Sequence, residues 1–228
     1  MKQKINCNWH KYVDLGLNHQ AMKLKINCNW HRYVDLGLPS GLLWATCNVG
    51  AKEPWERGLY FSWGNVVGHE KESEYGFGTS NDGPYATTPG ASLINSIPVD
   101  VEYDAARANF GGSWRMPTTA EFKELDDNCT SVWTTQNGVN GMMLTSRING
   151  NSVFFPAAGF YYGTLLEYED TIGYYWSSSF NSQTNAYSLL FGRGYVYPQD
   201  YSSRFIGHPV RAVLDHTKNS LMIKTIKR

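Results

Sequence analysis

The sequence predicts a mixed α+β fold of many short strands and two helices, and three observations predict it. Short apolar runs broken by Gly, Pro, Asn and Ser recur along the 228-residue chain, the pattern of strands joined by tight turns. Thr118-Thr-Ala-Glu121 spells a helix-opening capping box, in which hydroxyl and carboxylate each satisfy a free backbone N–H. Asn149-Gly150 separates two apolar runs and tolerates the positive φ of a hairpin turn.

In chain order, Tyr33–Leu36, Leu42–Val49 and Leu59–Trp63 are strand candidates flanked by Gly or Pro-Ser-Gly. Residues 64–98 have no period and read as a long surface loop. Val101–Asn109, with Ala105, Ala106 and Ala108, is a helix candidate stopped by Gly111-Gly112. The capped helix runs from Thr118 to about Asp127. Strands return after Cys129, with Met142–Arg147 and Ser152–Phe155 forming the firmest hairpin.

Twenty basic against twenty acidic side chains, with pI near 7.0, argue against a nucleic-acid partner, which calls for a basic excess. Charged residues are 18% of the chain while aromatics reach 14%, with fifteen Tyr and eight Trp. A surface built from Tyr, Ser, Asn and Gly suits recognition, because Tyr offers contact area at low entropic cost. No apolar run approaches the roughly 20 residues of a membrane helix, so no membrane insertion is expected. No secretory signal is visible at the start.

Lys4–Leu17 reappears as Lys25–Leu38 with one change, Lys11 to Arg32. Two copies read as a tandem duplication, since solenoids need at least three units. Residues 1–24 are expected to be a redundant leader, 25–214 the domain and 215–228 a basic tail with Lys218, Lys224, Lys227 and Arg228. Duplication also creates Cys7, His10, Cys28 and His31, four zinc ligands on paper, but copying any Cys-x-x-His yields this pattern. No metal or cofactor is expected.

Several blocks resemble, in order, the Fibrobacter succinogenes major paralogous domain family. They are Tyr33-Val-Asp-Leu-Gly-Leu-Pro-Ser-Gly-Leu-Leu-Trp-Ala-Thr-Cys-Asn-Val-Gly-Ala51, Tyr60-Phe-Ser-Trp-Gly64, Asp104-Ala-Ala-Arg-Ala-Asn-Phe-Gly-Gly-Ser-Trp-Arg-Met-Pro-Thr118, Thr134–Gly141, Phe155-Pro-Ala-Ala-Gly159, Tyr175-Trp-Ser-Ser178 and Val210-Arg211. The Trp114-Arg-Met-Pro-Thr118 block also resembles a signature of formylglycine-generating-enzyme-like domains. Both resemblances imply a C-type lectin-like fold, two helices with twisted antiparallel sheets. They also imply a cell-surface or phage location and a variable ligand-binding surface late in the domain, as in target proteins of diversity-generating retroelements. Mutated template adenines turn Asn codons into Tyr, Ser, Asp, Phe, Ile, His or Arg but not Lys, Glu or Met. Gly173–Val213 lacks the latter three, although an ordinary Tyr/Ser-rich sheet has nearly the same composition.

The expected function is therefore non-catalytic recognition of a protein or glycan. The alternatives are a formylglycine-generating-type enzyme, an unrecognised hydrolase, and a structural surface or phage tail-tip module. The catalytic cysteines of formylglycine-generating enzymes lie late in their domain, whereas the last Cys here is Cys129. Sugar-binding lectin calcium motifs are absent, and Glu167, Glu169 and Asp170 read as a solvated acidic run.

Strand alternation together with the resemblance places Trp176, Tyr187, Leu189, Phe191 and Val210 toward the core. Phe180, Asn181, Gln183, Ser188, Arg193, Tyr195, Tyr197, Tyr201, Phe205 and His208 are expected to project from one contiguous binding face. Trp114, Arg115 and Pro117 are expected to be structural, and Cys47 and Cys129 buried.

Overall fold

A computed structural model describes residues 31–70 and 103–215. The leader, Cys7, His10, Cys28, most of the 64–98 stretch and the tail lysines lie outside the described residues.

The described residues form five small sheets, all paired antiparallel, and two helices. Strands β1 (Tyr33–Asp35), β2 (Leu43–Ala45), β14 (Val213–Leu214) and β4 (Trp114–Arg115) form one sheet in that order. The long strands β10 (Ile172–Phe180), β11 (Asn185–Gly192) and β12 (Tyr195–Ser203) form a second, and β5 (Cys129–Gln136), β6 (Val139–Ser146) and β7 (Ser152–Pro156) a third. Two pairs complete the set: β3 (Tyr60–Phe61) with β13 (His208–Pro209), and β8 (Phe160–Tyr162) with β9 (Leu165–Glu167). The mixed, sheet-rich α+β class agrees with the sequence reading.

Local chemistry explains both helices. Helix α1 (Ala105–Phe110) starts later than Val101 because the buried Asp104 is its N-cap, accepting from the Arg107 N–H at 2.9 Å. Gly111, at φ 72°, ends it in a conformation that only glycine adopts freely. Helix α2 (Thr119–Asn128) carries the complete capping box: Thr118 accepts from the Glu121 N–H, and Glu121 accepts from the Thr118 N–H at 2.8 Å. The Glu121 carboxylate also takes Arg115 in a two-pronged pair at 2.7 and 2.5 Å, tying β4 to the helix start. The β6–β7 hairpin is present, with the left-handed residue at Gly150.

Two cores lie on opposite faces of β10–β11–β12. On the first face Tyr175, Leu189 and Phe191 pack with Phe122 and Leu125 of α2, Trp44 and Phe155. On the second, Trp176 and Ala186 pack with Trp63, Phe110, Trp114, Met116 and Val210. Each such side chain, fully buried, contributes about 1.5–3 kcal/mol. Gly173 belongs to the first core by necessity, since a Cβ there would lie 2.1 Å from Cζ of Phe191. Cys47 and Cys129 are buried free thiols.

Two cations are wholly buried. Arg211 donates to Asn48 Oδ1 and to the carbonyls of Ala45, Thr46 and Phe154, at 2.8 to 3.0 Å, and lies over the Phe155 ring. Arg204 lies between the rings of Trp63 and Phe180, at 4.6 and 5.0 Å.

Candidate ligand-binding surface

In an antiparallel sheet directly opposed residues share a face. Tyr174, Leu190 and Tyr197 form one such row, Trp176, Ser188 and Asp200 the next, and Ile172, Gly192 and Tyr195 close the end of the sheet. All three rows lie on the second face. His208 of β13 packs over its middle, stacked on Trp176 at 4.1 Å and against Tyr174 at 5.0 Å. Beyond His208 the face is open, and Tyr195 and Tyr197 stand there 5.4 Å apart, 36% and 56% exposed.

A neighbouring hairpin extends this open end. Phe160 of β8 meets Tyr174 edge-on at 5.1 Å, and Tyr168, 54% exposed, tilts onto Phe160 at 5.7 Å. Tyr168 and Asp170 hold φ of 56° and 59°, uncommon for residues other than glycine. Arg57 fixes their loop through Glu169 at 2.9 Å and Asp170 at 2.8 Å. Of the acidic run read as solvated, Glu169 and Asp170 thus form an ion-paired clamp that presents Tyr168.

The surface has a desolvated polar floor. Burial pushes the Tyr174 hydroxyl up to about 12, with the charge of Asp200 adding. Burial also raises the Asp200 carboxyl, opposed by a hydrogen bond from the Tyr201 N–H. His208 is held neutral by burial, its pKa lowered to about 3. Neither of its ring nitrogens has a hydrogen-bond partner, and neither has the Ser188 hydroxyl.

The ten residues expected to project together do not do so. Ser188 is fully buried because the second face of β11 is covered at that row. His208 is fully buried because β13 pairs with β3, which sets its ring among Trp176, Tyr174 and Phe160. Phe205 is 5% exposed, in the turn after β12 and against Tyr162. Tyr187, expected in the core, is only half-buried, opposite Tyr201 at a sheet end.

The register separates the others. Between Ser188/Asp200 and Leu190/Tyr197 β12 has one residue more than β11, a bulge that reverses which face its side chains take. Tyr201, 58% exposed, therefore sits on the first face, opposite Tyr187, while Tyr195 and Tyr197 sit on the second. Half-buried Phe180 and Asn181 and exposed Gln183 lie around the β10–β11 turn. Exposed Arg193 lies at the opposite end, roughly 20 Å away at strand rise. Of the expected set, Tyr195 and Tyr197 share the open end, with Arg193 beside them.

Phe160 and Tyr168 were not singled out as binding residues by the sequence reading, and Tyr174 fell within the 174–208 stretch it gave to the binding face without being named. The signal for Tyr168 was its place next to Glu169 and Asp170.

Among the described residues no group of three or more His, Cys, Asp or Glu side chains is arranged to hold a metal ion. No helix described is long and apolar enough to cross a membrane. Comparison with protein-family models, curated proteins and solved structures gives no match to this chain.

Proposed function

We propose that the protein is a non-catalytic recognition domain of C-type lectin-like fold, a member of the major paralogous domain family that its sequence resembles. It binds a protein or glycan through the open end of the β10–β12 sheet. The observation that carries this is the aromatic row Tyr197, Tyr195, Tyr174, Phe160 and Tyr168, of which exposed Tyr195 and Tyr197 stand on the open end of a sheet otherwise packed on both faces and exposed Tyr168 on the ion-paired loop beside it. Exposed Tyr held by a rigid support is a residue type that dominates binding hot spots.

The test is a glycan array and an extracellular-protein panel, probed with the wild type and with a Tyr168→Ala/Tyr195→Ala/Tyr197→Ala variant. Ligands lost by the variant, at unchanged melting temperature, support the reading. Ligands captured equally by both proteins sink it.

A further inference from the structure

Strand β5 is an edge of its sheet and, among the described residues, carries none of the usual protections against pairing. Its residues Cys129-Thr-Ser-Val-Trp-Thr-Thr-Gln136 include no charge and no proline, and its register with β6 runs unbroken from Cys129/Ser146 to Gln136/Val139. Edge strand β12, by contrast, carries Pro198, Asp200 and a bulge. The two-residue turn Asn137-Gly138, with φ of 47° and 83°, makes Gln136 and Val139 a hydrogen-bonded pair and so sets the phase of the ladder. Thr134, Val132 and Thr130 then bond to β6, while the N–H and C=O groups of Ser131, Trp133 and Thr135 point outward. Among the described residues no turn, loop or cap bonds to those outward groups.

The same edge forms one wall of a groove of about 480 Å³, with Val196 across from it, Met142 at its base and Asp126 from the end of α2. Asp126 is the charged residue of this lining, and no hydrogen bond or ion pair to its carboxylate is present among the described residues. The neighbouring cations are engaged elsewhere: Lys123 holds both carboxylate oxygens of Asp127, and Arg147 donates to the Asp127 carbonyl. Exposed Arg193 sits on the adjacent turn, outside the lining. Burial, and then the Asp127 charge, raise the Asp126 carboxyl above its ordinary value, against a smaller lowering by the nearby charges of Lys123 and Arg147.

We propose that the outer edge of β5 docks an extended peptide segment of a partner protein, which adds as a strand along Ser131–Thr135 and sets a Lys or Arg side chain against Asp126. Main-chain bonds supply affinity in such strand addition, and side-chain pockets supply selectivity. A second copy of the chain fits less well, because the opposing β5 brings no cation to Asp126.

The test uses the full chain and a blocked heptapeptide, Thr-Val-Thr-Lys-Thr-Val-Thr. One control peptide has Glu for Lys, and another has alternate amides N-methylated. Titration is followed by amide NMR shifts and hydrogen exchange. Saturable binding that slows exchange at Ser131, Trp133 and Thr135 is expected, weakened about tenfold by N-methylation, which removes main-chain bonds. The Glu peptide binds more weakly to the wild type, and Asp126→Asn erases that difference. Ser131→Pro, which removes an outward donor, weakens binding at an unchanged melting temperature. Absence of saturable binding overturns the proposal, as does equal binding of the N-methylated peptide or a Lys/Glu difference that survives Asp126→Asn. Concentration-dependent protection of the same amides without peptide assigns the edge to a second copy and also overturns it. Tyr195 also lines this groove, whereas Tyr168 and Tyr197 do not, so Tyr168→Ala/Tyr197→Ala binds the peptide like the wild type and keeps failure here separable from failure of the tyrosine surface.

Discussion

The indole of Trp176 and the imidazole of His208 stack at 4.1 Å, 21° from parallel, and this contact buries a histidine with no hydrogen-bond partner. Its folded pKa of about 3 lies below the ordinary 6.5. As pH falls through 6.5 the unfolded chain takes a proton that the folded chain refuses, so stability declines from 6.5 down toward 3. The loss approaches about 1.4 kcal/mol per pH unit. Buried Asp104 and half-buried Asp200 have raised pKa values and act in the opposite sense, stabilising as pH falls from those raised values to the ordinary carboxylate range. His31 and His69 are also lowered by burial and act in the same sense as His208, so in the window from pH 6.5 to 5 the comparison with a His208 variant isolates this histidine. Thermal melts should show the wild type losing more stability across this window than His208→Phe, and parallel curves would contradict the burial argument.

Two glycines in the same sheet predict opposite outcomes. A Cβ at Gly173 meets the Phe191 ring inside the first core, so Gly173→Ala should cost about 1–3 kcal/mol or more. A Cβ at Gly192 comes within 2.4 Å of Cζ and Oη of Tyr195, whose ring is part-exposed and free to swing outward. Gly192→Ala should keep the urea midpoint and shift the Tyr195 ring resonances. Equal destabilisation by the two substitutions would count against this account of the Tyr195 ring.

Arg211 serves four acceptors from two separate stretches of chain, without a carboxylate. Arg211→Lys cannot reproduce a planar fork and leaves acceptors unpaired, so a loss of about 3 kcal/mol or more is expected. Urea denaturation measures it, and a near-neutral lysine variant would refute the role.

Cys47 and Cys129 are buried, and burial moves the Cys129 thiol up to about 11. Both should react slowly with a thiol reagent in the native state and at once in denaturant, since the thiolate is the reactive form. Fast native labelling of Cys129 would contradict its placement.

The parts of the fold that were legible in the sequence are those fixed by neighbours along the chain. The Thr118 capping box, the Gly111 stop and the Gly150 hairpin each follow from a few adjacent residues. Trp114 was placed in the core correctly, through the block it belongs to. The candidate surface was less legible because alternation tells which residues share a face, not how many faces are covered. Strand β11 packs on both, which buried Ser188. One extra residue in β12 then moved Tyr201 away from Tyr197, and a bulge leaves no mark in a Tyr/Ser pattern. His208 was hidden by a long-range pairing with Phe61.

Strands β1 and β14 both pair antiparallel with β2 and therefore run parallel to each other with β2 between them. Residues leading into β1 and those leaving β14 thus emerge at opposite ends of this sheet. If these two points are pulled apart, the β2 ladders are loaded in shear, their bonds sharing the force, instead of opening one at a time like a zipper. Mechanical resistance is then a property of how the chain enters and leaves the sheet, separate from the thermal stability set by the two cores.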